Sequence, residues 1–209
     1  MERYDCIQAI APLLPDALVL TCIGGTRVEW SSVCSSPDFT VYAMGLTSSV
    51  GLGLALALPE RQVVAFDGDG ALLMNLPSLT TIATQRPPNL LHILFDNGSY
   101  ESSGKGPTHT ARGVDLVQVA LACGYPYAAW AESVDDFRGL VAAALGRREL
   151  ALVGARVTAS TASVPNVTTD SLEQKYRFVR YVEATSSVRI LALAPPSHTV
   201  ERAAPPGAR

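Results

Sequence analysis

Apolar residues fall in short unbroken runs along the chain, at 17–23, 39–43, 63–67, 90–96 and 150–157, with segments of helical periodicity between them. Each run is too short for a helix, and none alternates apolar with polar as a strand with one wet face would. The runs therefore predict strands covered on both sides, as in a parallel sheet flanked by helices. Helices are predicted over 3–14, 45–58, 76–86, 114–123, 134–147 and 170–183, although Val117, Val119 and Leu121 also carry a strand-like period of two in the fourth. For the third, Asn75 is placed to cap the first turn, and Pro77 falls where a missing N–H costs little. Strand and helix alternate throughout, which predicts an α/β fold: a doubly wound, mostly parallel sheet with helices on both faces.

One domain over residues 1–184 is expected, because a chain of 209 residues accommodates one sizeable core. After about residue 185 periodicity fades and proline and alanine accumulate, so 185–209 is expected to be a mobile tail. The composition, 48% hydrophobic and 17% charged, is that of a packed globule. A net charge of -3 without a cluster of basic and aromatic residues argues against nucleic acid as a partner. Cys6, Cys22, Cys34 and Cys123 lie far apart with no C-x-x-C pair, which suggests reduced thiols rather than a zinc knuckle or a redox pair. No apolar stretch has the length of a membrane span and the N-terminus does not read as a secretory signal. A cytoplasmic protein is expected, with the N-x-S/T matches at Asn97 and Asn166 unglycosylated.

The chemistry concentrates at the ends of two strands. Gly68-Asp69-Gly70 closes the run at 63–67 and Asp96-Asn97 closes the next, with Asp69 and Asn97 28 positions apart. That interval fits a turn, a crossover helix and a return strand, so both side chains emerge at the carboxyl edge, where ligands of such sheets bind. A carboxylate and an amide oxygen are hard donors suited to Mg²⁺ or Ca²⁺. Gly68 and Gly70 leave backbone N–H groups uncovered, so a diphosphate can approach closely. Taken singly, strand-end Asp and Asn are common turn and cap residues; the pair at this interval favours metal. The glycine-rich loop 98–113 follows directly and is placed to bind.

GDGALLMN at 68–75 with DNGSY at 96–100 is similar to the signature of thiamine diphosphate enzymes. The chain resembles the C-terminal, diphosphate-binding domain of the phosphonopyruvate and sulfopyruvate decarboxylase family, through Pro37-Asp38-Phe39, YAMG at 42–45, NLLHILFDNGSYESSG at 89–104 and Ala122-Cys123-Gly124-Tyr125. The resemblance implies Mg²⁺ ligands at Asp69, Asn97 and the carbonyl of Ser99. It implies cofactor contacts at Gly24, Met44, Gly68, Asp69, Gly70, Ala71, Asn97, Ser99 and Tyr100, with backbone N–H groups of Gly70 and Ala71 for the diphosphate and Met44 supporting a bent cofactor. The implied reaction is loss of CO₂ from a 2-oxo acid to give an aldehyde, with the cofactor carrying the chemistry.

The family also requires a glutamate beside the pyrimidine ring, and no motif of this chain supplies it in the expected context. Glu29 is the nearest candidate, but it follows the first strand of this domain. The glutamate is therefore expected from a separate pyrimidine-binding partner subunit, in a hetero-oligomer whose active site forms at the interface. Two sequence departures bear on substrate: ESSGKGPT stands where ESTGGQPT is common, and YAMG where GSMG is common. Lys105, His109 and Arg112 are candidates for holding an anionic substrate tail, with solvent exposure as the plain alternative; Arg27 and Tyr42 read equally well as surface and packing residues. Two other functions fit the same cofactor domain: a carboligase or acyl-transfer component similar to acetolactate synthase, and a regulatory subunit without catalysis.

Overall fold

The computed structural model describes residues 1–191; the part of the expected tail at 192–209 lies outside them. Six strands, β1 (Leu18–Cys22), β2 (Phe39–Val41), β3 (Val63–Gly68), β4 (Leu90–Asp96), β5 (Tyr127–Ala131) and β6 (Ala151–Arg156), form one sheet in the order β2-β1-β3-β4-β6-β5. Every pairing is parallel. Among the described residues eight α-helices accompany the sheet: α1 (Arg3–Ile10), α2 (Gly25–Val33), α3 (Thr47–Ala57), α4 (Asp69–Met74), α5 (Ser78–Gln85), α6 (Leu116–Cys123), α7 (Val134–Arg147) and α8 (Ser171–Thr185). The α/β doubly wound class expected from the pattern of apolar runs is the one observed.

Two cores lie on opposite faces of the sheet. Val63, Ala65, Leu90 and Leu94 pack with Leu52 and Ala55 of α3, Leu79 and Ile82 of α5, and Leu116 of α6. Val64, Phe66, Leu91 and Ile93 pack on the other face with Ile7 of α1, Trp30 of α2 and Phe137 of α7. Adjacent residues of β3 and β4 thus point into different cores, which is why apolar residues do not alternate with exposed polar ones along these strands.

Three elements depart from the sequence expectation. β5 was not predicted: YAAWA is a half-buried edge strand rich in alanine. It is fixed by Trp130, whose ring lies so close to Gly154 that a Cβ there would sit 2.5 Å from it. α2 escaped because its buried positions, Thr26, Glu29 and Trp30, have helical spacing but two are polar. The helix expected over 76–86 is α5 alone, preceded by α4, which the pattern did not predict, and Asn75 does not cap α5. Its side-chain amide instead donates to the carbonyl of Gly45 at 3.0 Å, tying the α4–α5 junction to the loop that carries Met44. The start of α3 at Thr47 and of α6 at Leu116 are each two residues later than expected, and Asp115 caps α6 by accepting from the N–H of Val117 and Gln118.

Candidate cofactor site

The strand order reverses between β1 and β3: from β1 the chain crosses to β2 on one side, then back to β3 on the other. A doubly wound sheet opens a crevice at such a switch, beyond the carboxyl ends of the strands. Gly24, Met44, Gly68, Asp69, Gly70, Ala71, Asn97, Ser99 and Tyr100 all line one cleft there. A roomier concavity of about 480 Å³, walled by Ser31, Ser35, Asp38 and Gln174, contains none of them.

The register Gly68↔Phe95 between β3 and β4 brings the two strand tips level. As a result the N–H of Asn97 reaches Asp69 Oδ1 at 3.4 Å, so residues 28 apart in sequence are neighbours. Asp69, 2% exposed, has its other oxygen filled: Oδ2 accepts from the hydroxyls of Thr108 at 2.6 Å and Thr110 at 3.1 Å. Thr110 also contacts Asp96 Oδ1 at 2.7 Å, and the same oxygen accepts from Gly98 N–H at 3.0 Å. Burial pushes the Asp96 carboxyl above its usual range; the Thr110 hydroxyl offsets part of that, and the charge of Asp69 adds to it. Two carboxylates thus share a buried corner, and among the described residues no Lys, Arg or His forms an ion pair with either.

Buried carboxylates without a basic partner are costly, and a bound cation is one way to relieve them. The donor set around Asp69 fits a hard divalent ion: one carboxylate oxygen held only by a long N–H contact, the Asn97 amide oxygen and nearby backbone carbonyls. The start of α4 at Asp69 leaves the first N–H groups, those of Gly70 and Ala71 included, without intrahelical partners. That suits the diphosphate that such an ion would carry.

The loop after β4 closes over this corner. Tyr100 N–H donates to Gly106 O at 2.8 Å and Thr108 N–H to Gly98 O at 3.0 Å, making residues 98–108 a tight hairpin-like loop. Its Tyr100 ring lies against Gly70, where a Cβ would come within 2.7 Å of it. Ser102 reaches the far wall, its Oγ 3.4 Å from where a Cβ of Gly24 would be. Closure leaves about 60 Å³ in the cleft, far below the ~300 Å³ at which small-molecule pockets begin. Lys105 and His109 are exposed and lie outside the cleft lining, and Arg112 is exposed as well. Arg27 lies 5.5 Å from the ring centre of Tyr42.

Glu29 is committed elsewhere. It is 1% exposed, takes both Nε and Nη2 of buried Arg3 at 2.6 and 3.2 Å, and accepts from Ala162 N–H at 2.8 Å. Nothing in that geometry leaves it free to address a pyrimidine ring. Arg3, Glu101, Thr108 and Thr110 are the residues around the site that the sequence reading passed over; the run T-H-T at 108–110, hydroxyls two apart behind a metal motif, was the available signal.

The family model for the C-terminal, cofactor-binding domain of thiamine pyrophosphate enzymes matches residues 32–155, which contain both strand tips and the loop. The chain belongs to the thiamine pyrophosphate enzymes. A relative within this family is the sulfopyruvate decarboxylase subunit beta of Methanothermobacter thermautotrophicus, 37% identical over 89% of this chain and 98% of its own length. The phosphonopyruvate decarboxylase of Streptomyces hygroscopicus is 41% identical over 66% of this chain, but only 34% of that protein is covered. Benzoylformate decarboxylase from Polynucleobacter necessarius superposes with a TM-score of 0.63 over 78% of this chain and 34% of its own, at 18% identity, a likeness of fold alone. The chain therefore covers nearly the whole length of the beta-subunit relative and about a third of the length of the other two. Among the described residues no helix is long and apolar enough to cross a membrane.

Proposed function

We propose that this chain is the diphosphate- and Mg²⁺-binding subunit of a two-subunit thiamine diphosphate-dependent 2-oxo acid decarboxylase of the sulfopyruvate or phosphonopyruvate type, acting in the cytoplasm. The observation that carries the proposal is the pairing of Asp69 with Asn97 on neighbouring strand tips, in a buried corner where, among the described residues, no basic side chain pairs with Asp69 or Asp96. The near-complete match to a beta subunit supports the two-subunit form. So does the volume of the cleft, which leaves most of a cofactor outside this chain.

When bound, the cofactor supplies a carbon nucleophile and a sink for the electron pair left as CO₂ departs. The chain's own residues bind and orient. Asp69, the Asn97 amide oxygen and the Ser99 carbonyl would hold the ion, and the N–H groups of Gly70 and Ala71 the diphosphate. Met44, held through the Gly45–Asn75 contact, would support the bent cofactor. Tyr100 and Ser102 would keep water from the phosphate end. A glutamate facing the pyrimidine comes from the partner subunit, since Glu29 is bound to Arg3. Lys105 and His109, exposed beside the cleft, are offered to an anionic substrate tail once the partner is seated.

The test is Asp69→Ala in the complex with the partner subunit. Mg²⁺-dependent cofactor binding and CO₂ release from 3-sulfopyruvate or 3-phosphonopyruvate should both be abolished. A variant that binds and turns over as the parent does overturns the proposal.

A further inference from the structure

We infer that Glu101 is a positioning residue that fixes which end of the Asn97 amide faces the metal, and that Arg3 and Thr161 hold Glu101 in place to do so; the inference rests on the proposed metal site. An asparagine amide presents an acceptor oxygen on one side and a two-proton donor on the other, and only the oxygen binds a cation. Asn97 Nδ2 donates to Glu101 Oε2 at 3.1 Å, while Asn97 Oδ1 accepts from Ser99 N–H at 2.9 Å. A carboxylate can only accept, so rotating the amide by half a turn would set oxygen against oxygen at Glu101 and donor against donor at Ser99. Both contacts select the same orientation.

Glu101 is itself anchored from parts of the chain remote from the motif. Thr161 Oγ1 donates to Glu101 Oε1 at 3.2 Å, and Arg3 Nη1 lies 3.7 Å from Glu101 Oε2. Arg3 also donates through Nη2 to Thr161 Oγ1 at 3.1 Å and to the carbonyl of Ser160 at 3.0 Å. It accepts no hydrogen bond, so the hydroxyl of Thr161, receiving from Arg3, has its own proton free for Glu101. The guanidinium passes across the start of α2 where Gly25 has no side chain: a Cβ there would overlap both Arg3 Nη2 and Thr161 Oγ1. Such outer contacts to a metal ligand change ion affinity by about 10- to 100-fold when removed.

The experiment uses Mn²⁺ in place of Mg²⁺, read by its paramagnetic resonance signal, with thiamine diphosphate and the full chain purified with its partner subunit. Glu101→Ala should raise the Mn²⁺ concentration for half-saturation about tenfold, with the metal-free melting temperature unchanged. In an Asn97→Asp background, where the ligand keeps an oxygen on either side and has no donor for Glu101, the same substitution should not weaken Mn²⁺ binding. A purely structural role for Glu101 would weaken both backgrounds alike and overturns the inference. If Asp69→Ala loses the ion while Glu101→Ala retains parent affinity, the metal site stands and the inference falls. If the parent complex binds no Mn²⁺, or Asp69→Ala binds it normally, the site itself fails and the inference with it.

Discussion

Asp67 and Asp69 are two residues apart, both buried, and solve the problem of a buried carboxylate in opposite ways. Asp67, on β3, is fully buried, with His92 Nε2 at 3.1 Å; the other ring nitrogen of His92 lies 3.4 Å from the hydroxyl of Tyr125, itself 3% exposed. Each of these side chains has a protein partner from a neighbouring strand or loop. Asp69, just past the strand end, is met only by threonine hydroxyls and a backbone N–H. His92 gives Asp67 Oδ2 a partner from within the fold, although Oδ1 has none, whereas at Asp69 the proposed ion would take that place.

The contrast is broken or sharpened most severely at Asp67. Asp67→Ala should lower the unfolding free energy by about 1–3 kcal/mol, because it leaves His92 Nε2 without a partner in the core, and urea unfolding measures this. The molecules that remain folded should still bind Mg²⁺ and cofactor. Asp69→Ala should do the reverse, losing the ion while its unfolding midpoint moves little; a large loss of stability at Asp69 together with intact binding would erase the distinction. A smaller effect is expected at Thr108, 1% exposed, whose hydroxyl fixes one oxygen of Asp69. Thr108→Val should weaken Mn²⁺ binding about tenfold and cost about 1 kcal/mol of stability. Calorimetric titration and urea unfolding read the two separately.

The mildest test concerns Cys22, which lines the cleft yet senses the sealed side. Burial first, and the charge of Asp67 second, push its thiol up to about 12, while burial raises Cys6 to about 11. Only the thiolate reacts, and at pH 8 its share is about one part in 10⁴ at Cys22 and one in 10³ at Cys6. A thiol reagent at that pH should label the half-buried Cys34 and Cys123 first, and the other two only on unfolding. Prompt labelling of Cys22 would mean that the sheet edge opens where the structure shows it closed.

Much of this organisation was legible before any coordinates. The run 90–96 became β4 without a change of boundary, and the interval from Asp69 to Asn97 placed both at one edge because a crossover of that length admits little else. What stayed hidden depends on contacts distant in sequence. Helix α2 is held by Trp30 against Phe66, ring centres 5.2 Å apart, and by Glu29 against Arg3, so its buried face does not look apolar in sequence. β5 is alanine with one tryptophan whose indole N–H bonds to Asp115 at 2.9 Å. Asn75 had the residue type of a helix cap, yet its amide serves the loop at Gly45. Thr108 lay inside a loop read as polar and glycine-rich with only the T-H-T spacing to mark it, and nothing local singled out Glu101, whose partners Arg3 and Thr161 are remote in sequence.

The cluster that joins Arg3 to Thr161 sets an order of events during synthesis. Arg3 and Thr161 are separated by 158 positions, so the contacts around Glu101 cannot close co-translationally until β6 has emerged. A nascent chain can hold its GDG turn and its DN turn and still lack the brace behind Asn97, and a nick near residue 160 in the finished protein would return it to that condition.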